Sequence, residues 1–246
     1  MGFYSTPAIT LRKIDFGDSS QIITFFTRKY GKIQTLAKGL KLPVKGIGGG
    51  IDLFTQNQIV FIQQGRSHLH LLTEWMLQES FCSLRDNLRK FYSALYLLEL
   101  VGEFTEINDK NESLYDLVTY TLREVAKGED PTVTILAFEV QMLSLIGYMP
   151  EMHHCVFCKS EIDLTKFALF NASEGGLLCQ DCGSSLKERI KIMGGTIATI
   201  NCLAGNRVLR LDRLKIEPLI RNEIRKLLKY YFSSLLNKKL KMWKYL

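Results

Sequence analysis

The chain has 246 residues, 46% of them hydrophobic and 23% charged, with a formal net charge of +7. That balance belongs to a folded protein rather than a disordered tail, and the length suits one large domain or two modest ones with an appendage. No stretch approaches the ~18 uncharged apolar residues of a membrane span, and the first 20 residues, with Arg12, Lys13, Asp15 and Asp18, lack the apolar core of a secretory signal; a cytoplasmic location is expected.

Residues 1–80 carry a net charge of +4 and read as strands. Short β-rich runs fall near Ala8–Arg12, Gln21–Thr27, Lys32–Ala37, Gln58–Ile62 and Leu69–Thr73. In the connection Arg28-Lys29-Tyr30-Gly31, Gly31 is free to take positive φ. Lys41–Gly50 is glycine-rich, contains Pro43 and reads as a loop. Five short strands in so few residues suit a small barrel, of which the OB-fold is one solution. The boundary of this module is expected at residue 79.

The pattern changes after Glu79. Leu88, Phe91, Leu95 and Leu98 fall at helical spacing on a segment expected to be buried on most sides. Leu114, Leu117, Val118, Thr121, Leu122 and Val125 make a cleaner amphipathic stripe, with Gly128 expected just past its end. Asp130-Pro131 opens a further helix that Gly147 and Pro150 terminate. Residues 80–150 are therefore read as the first part of a helical bundle. Residues 184–246 are read as its second part, with Ile220, Ile224, Leu227, Leu228, Tyr231 and Leu235 on one face and Arg221, Arg225, Lys226 and Lys229 largely on the other.

Between them, residues 151–183 form an insert with the pattern Cys155-x2-Cys158-x20-Cys179-x2-Cys182. Each Cys-x-x-Cys pair turns two thiolates toward one point, and two such knuckles make the four-sulfur tetrahedron that Zn²⁺ accepts at about 2.3 Å per bond. Two local disulfides or an iron–sulfur cluster are the competing readings. Four thiolates leave no open coordination position, so the zinc is expected to be structural. His153 and His154 are read as exposed loop residues, and Cys82 and Cys202 as small buried ones.

The charge is uneven: residues 81–182 carry −8 and residues 183–246 carry +11. Basic segments at both ends attract polyanions by counterion release, although charge alone also fits a solvated face. The motifs of catalysis are missing. There is no GxxxxGK[ST], GxGxxG, GxSxG or HExxH, and the His-x-Glu half of the zinc deaminase signature is absent. His68 and His70 alternate on one strand face, which a half-exposed hairpin explains. The reading is non-enzymatic.

The order of barrel, helices, four-cysteine insert and basic helices resembles the bacterial RecO family of recombination mediators. The matching residues include Leu11-Arg12, Thr27 to Lys32, Ala37-Lys38-Gly39 and Tyr96 to Leu100. They continue with Phe138-Glu139, Leu145 to Pro150 ahead of Cys155, Gly175 to Cys179, and the ending Lys239 to Leu246. Two departures are Val44-Lys45, where the family commonly has serine before a basic residue, and Lys241-Met242 in place of Lys-Ser. The resemblance implies binding of single- and double-stranded DNA and annealing of complementary strands. It also implies help in loading RecA onto DNA coated by single-stranded DNA-binding protein, together with RecR, and docking of that coating protein's acidic C-terminal tail.

For DNA, Arg12, Arg28, Lys29, Lys32, Lys38, Lys41 and Lys45 lie on or just beyond the first three strands, the surface that OB-folds use. Among Phe25, Phe26 and Tyr30, one or two are candidates to stack on bases, with at least one phenylalanine in the core. For the tail, a groove between helices with a basic rim is expected, with Arg123, the last helix and residues 207–215 as candidates. A zinc-ribbon or OB-fold RNA-binding or ribosome-associated protein is the alternative, and a metal-dependent nuclease or deaminase a third.

Overall fold

The computed structural model describes residues 2–39, 51–64, 68–205 and 214–246. They divide into two compact units: 1–131 with 242–246, and 132–241. The whole glycine-rich loop Lys41–Gly50, with Lys41 and Lys45, lies outside the described residues, as does most of 207–215.

The first unit begins with β1 (Phe3–Phe16), β2 (Ser20–Thr27), β3 (Gly31–Ala37), β4 (Thr55–Ile62) and β5 (Leu69–Ser80). β1 pairs with β2 and β4, β2 with β3, and β4 with β5, all antiparallel, while β3 and β5 pair in parallel. The ladder thus returns to its first strand and closes a barrel in the order β1-β2-β3-β5-β4. Alternation explains the core: Ile23 and Phe25 on β2, Ile33 and Ala37 on β3, Ile59 and Phe61 on β4 and Leu72 on β5 point inward. Closure removes the exposed sheet edges that would otherwise invite aggregation.

α1 (Leu88–Phe104) and α2 (Glu112–Lys127) belong to the same unit. Asn87 and Asn111 cap them: the Asn87 side chain accepts from the Arg89 and Lys90 amides, and that of Asn111 from the Leu114 amide. The α2 stripe is buried as its spacing predicts, apart from the half-buried Leu117. α1 is buried instead along Ala94, Tyr96, Leu97, Leu98, Leu100 and Val101, with Leu88 70% exposed at its first turn. Gly128 ends α2 in an extended conformation at φ −69°, so no left-handed cap is present there.

The second unit contains α3 (Thr132–Leu145), β6 (Phe167–Asn171), β7 (Gly176–Leu178), the single turn α4 (Gln180–Gly183), β8 (Ile190–Met193), α5 (Gly194–Gly205) and α6 (Pro218–Leu236). Its sheet has the order β7-β6-β8. α3 packs on α5 and α6, and α6 buries Ile224, Leu227, Leu228, Tyr231 and Phe232. No helix among the described residues is long and apolar enough to cross a membrane.

Candidate metal centre and nucleic-acid interface

The cysteine cluster is assembled by two tight turns brought together by β6 and β7. In the first, the Cys155 amide donates to the Ser160 carbonyl at 2.8 Å, and the Lys159 amide to the Cys155 carbonyl at 3.0 Å. Lys159 completes this turn in the left-handed region, at φ 61°. In the second, Cys179 caps α4, and its sulfur accepts from the Cys182 amide at 3.4 Å. Gly176 holds the turns in register: a Cβ there would lie 2.8 Å from the Glu151 carbonyl oxygen and from Val156 Cγ1.

The four sulfurs of Cys155, Cys158, Cys179 and Cys182 all lie within 4.8 Å of one another, and none is in a disulfide. The Cys158–Cys179 separation is 3.8 Å. A regular tetrahedron with zinc–sulfur bonds of about 2.3 Å has edges of about 3.8 Å, so the donor set and its spacing fit such an ion. The Ser160 hydroxyl, 3.0 Å from Cys158 Sγ, pulls that thiol down to about 6, whereas its sulfur neighbours, Cys179 first, hold Cys182 up at about 12. A bound cation favours the thiolate form at every ligand.

Beside the first turn, His153 and His154 are exposed, and their amides donate to Glu151 Oε1. Cys82 and Cys202 are both exposed, correcting the expectation of buried positions. Cys82 follows the last barrel strand in a short 3-10 turn, and Cys202 lies on the exposed side of α5, away from the buried Ile197, Ile200 and Leu203.

On the barrel, the seven basic residues divide by environment, with Lys41 and Lys45 outside the described residues. Arg12, Lys29 and Lys38 are exposed and carry no side-chain partner among the described residues. Arg28 is engaged: Nε and Nη2 donate to the two carboxylate oxygens of Asp116 at 3.0 and 3.1 Å, and Glu112 lies 3.5 Å away. Lys32 is engaged as well, its Nζ donating to the carbonyls of Gly102 at 2.6 Å and of Thr105, at the C-terminal end of α1. Those carbonyls carry the negative end of the helix dipole, which suits an ammonium; burial lowers the Lys32 pKa from its ordinary value.

The turn between these two residues is seated against the helix connection. Gly31 has φ 65°, and a Cβ there would meet the Asp109 backbone at 2.0 Å, so this position needs glycine for both conformation and space. The Asn108 amide donates to the Lys32 carbonyl at 2.8 Å. Arg28 and Lys32 therefore fasten the β2–β3 turn to α1 and α2, a role invisible in a local sequence window because its partners are 70 or more residues away.

The aromatic candidates are also redistributed. Phe25 points into the barrel, whereas Phe26, on the opposite face, is equally buried, its ring 6.1 Å from that of Tyr115 on α2. Tyr30 packs edge-on against Tyr4 and Phe61. His70 is 3% exposed and stacked on Phe61 at 5.2 Å, not half-exposed, while His68 is exposed. Arg123, a candidate for the basic rim, makes a two-pronged pair with Glu79, with Nη2 at 2.6 Å and Nε at 2.9 Å.

Comparison with known proteins gives the same answer over the whole chain. The profile described as "Recombination protein O N terminal" matches residues 1–81, and "Recombination protein O C terminal" matches residues 85–244. The chain is 30% identical over 246 residues to a "DNA repair protein RecO" of Pelotomaculum thermopropionicum, covering 100% of this chain and 94% of that one. It is 31% identical over 227 residues to one of Alkaliphilus metalliredigens, covering 92% and 91%. To one of Halalkalibacterium halodurans it is 28% identical over 232 residues, covering 94% and 89%. On these matches, this chain belongs to the recombination protein O family.

Proposed function

We propose that this protein is a non-enzymatic DNA-binding mediator of repair and recombination. It binds single- and double-stranded DNA, anneals complementary strands, and with RecR helps RecA recombinase onto strands coated by single-stranded DNA-binding protein. The observation that carries the reading is family membership over the full chain, joined to a five-stranded barrel whose Arg12, Lys29 and Lys38 have no partner among the described residues. We read the barrel as an OB-fold. Annealing needs no active site; a surface that neutralises two phosphate backbones lowers their repulsion and lets pairing proceed.

The cysteine cluster is proposed as a structural zinc site. When bound, the ion supplies positive charge that stabilises the thiolates and ties the two knuckles together. The acidic tail of the coating protein is assigned to the helical part, with Arg225, Lys226 and Lys229 of α6 as basic groups; Arg123 is less suited because Glu79 occupies it.

The test combines oligonucleotide binding and strand annealing at low and moderate salt. Expected are binding that is insensitive to sequence and falls steeply with salt, faster annealing, and capture of single-stranded DNA-binding protein only when its terminal residues are present. A preference for structured RNA over DNA, with no capture of the coating protein, would overturn the reading in favour of an RNA-binding role.

A further inference from the structure

Two cations at the β2–β3 turn are engaged by the helices of the same unit, and the two engagements differ in kind. Lys32 donates to the Gly102 and Thr105 carbonyls at the end of α1, where burial lowers its pKa. Carbonyls of a helix end cannot leave, so that contact is part of the fold. Arg28 meets carboxylates instead. Its Nε and Nη2 donate to the two oxygens of Asp116 at 3.0 and 3.1 Å, and Glu112 lies 3.5 Å from Nη1.

The Arg28 side chain is 41% exposed, that of Asp116 57% and that of Glu112 40%. Water reaches both sides of this contact, and so can a competing anion. A guanidinium fork donates to a carboxylate and to a phosphate in the same two-pronged way. Exchanging one for the other therefore leaves the donors of Arg28 bonded before and after.

The carboxylates are held in place from both sides. Asp116 follows Glu112 by four residues, so the two share one face of α2. Asn111 caps that helix, and Tyr115, next to Asp116, is buried against Phe26 of β2. Opposite them, Gly31 seats the turn on the Asp109 backbone. Lys110 also pairs with Glu112, at 2.7 Å. Arg28, Lys110, Glu112 and Asp116 thus form a cluster without net charge. An isolated exposed ion pair contributes little, whereas a two-pronged pair within a network is the kind that persists. Lys29, the neighbour of Arg28, is exposed and has no side-chain partner among the described residues. A phosphate drawn to Lys29 arrives beside an arginine that is already occupied.

We propose that Asp116 and Glu112 make an autoinhibitory contact: they occupy Arg28 as a phosphate would, and hold it in reserve until a nucleic-acid phosphate displaces them. This rests on the nucleic-acid reading above and adds to it a restraint on affinity built into α2. The charge of Lys32 is committed, while that of Arg28 is exchangeable. Removing the competing carboxylate should therefore tighten binding, which the loss of a purely structural ion pair would not do.

The experiment measures fluorescence anisotropy of labelled oligothymidylate of about 30 nucleotides across a salt series, with thermal unfolding of each variant alongside. Asp116→Asn is expected to bind about threefold more tightly than the parent. Its salt slope should be steeper by about 0.7, for the one phosphate gained. Combined with Arg28→Ala, the same substitution should bring no gain. A gain that survives Arg28→Ala would overturn the proposal, because a mere change in net charge acts with or without that arginine. An Asp116→Asn protein that binds no more tightly than the parent would overturn it too. The Nε–H magnetic resonance signal of Arg28 in the parent, assigned through Arg28→Lys, gives a readout that does not depend on the asparagine variant folding. It is expected to shift as oligothymidylate is added, and a signal unmoved at saturation would rule out the exchange. If the parent binds no oligonucleotide at any salt, the nucleic-acid reading itself falls and takes the restraint with it.

Discussion

The barrel of the first unit and the three-stranded sheet of the second face the same difficulty, excluding water from a small set of apolar side chains. The barrel has strands of 14, 8, 7, 8 and 12 residues, and their closure encloses Phe25, Phe61 and their neighbours. The cysteine-bearing sheet has strands of 5, 3 and 4 residues. It buries Phe170 against Tyr231 of α6, but of the knuckle residues 155–159 and 179–182 only Cys155 is buried, and Phe157 is 48% exposed. A closed sheet large enough to hold a core needs no staple; two short turns do, and four sulfurs at metal-binding separation answer that need.

The largest expected break in this comparison is Cys179→Ser. Elemental analysis should find its metal content reduced from about one ion per chain to near zero. Limited proteolysis should then cut within residues 151–193, while oligonucleotide binding by the barrel persists; unchanged metal content would remove the contrast. Next comes Phe25→Ala, which leaves a cavity inside the barrel and should cost about 3–5 kcal/mol in thermal unfolding without releasing metal.

Smaller effects sharpen the picture within the first unit. Lys32→Ala removes the hydrogen bonds to the end of α1 and should lower stability by about 1–2 kcal/mol with little effect on DNA affinity. Lys38→Ala should do the reverse, weakening DNA binding and leaving the unfolding midpoint in place. Equal losses of DNA affinity would place Lys32 at the interface as well.

The smallest expected effect is a pH dependence. Burial, and then the nearby His68, lower the pKa of His70 from its ordinary value. The folded state therefore binds fewer protons than the unfolded chain. Stability from this group is complete above about pH 6.5, the unfolded value, and falls as pH drops toward the lowered folded value. The unfolding midpoint should decline on acidification from about pH 6.5, and His70→Gln should flatten that part of the profile.

Local chemistry made several elements readable. The α2 stripe, the positive φ of Gly31 and the four-cysteine spacing each depend on residues close in sequence. The last barrel strand was harder: the run expected to end at Thr73 continues to Ser80, because irregularities between Gln56 and Asn57 and between Val60 and Phe61 break the alternation of the β4–β5 pair. Alternation correctly separates Phe25 from Phe26, but it cannot say that a helix covers the outward one. Phe16 shows the converse, since nothing in its local pattern separates it from a core residue, yet it is 52% exposed.

Sequence alone determined which side chains could act together where spacing does the gathering: two Cys-x-x-Cys turns, an amphipathic helix, and a cationic amino-terminal segment without catalytic motifs. Tertiary structure decided which cations remain available. Arg28 and Lys32 spend their charge on Asp116 and on the carbonyls of α1, whereas Arg12 and Lys38 have no partner among the described residues. Charge can be counted along a chain, but its availability depends on partners that only folding brings within hydrogen-bonding distance.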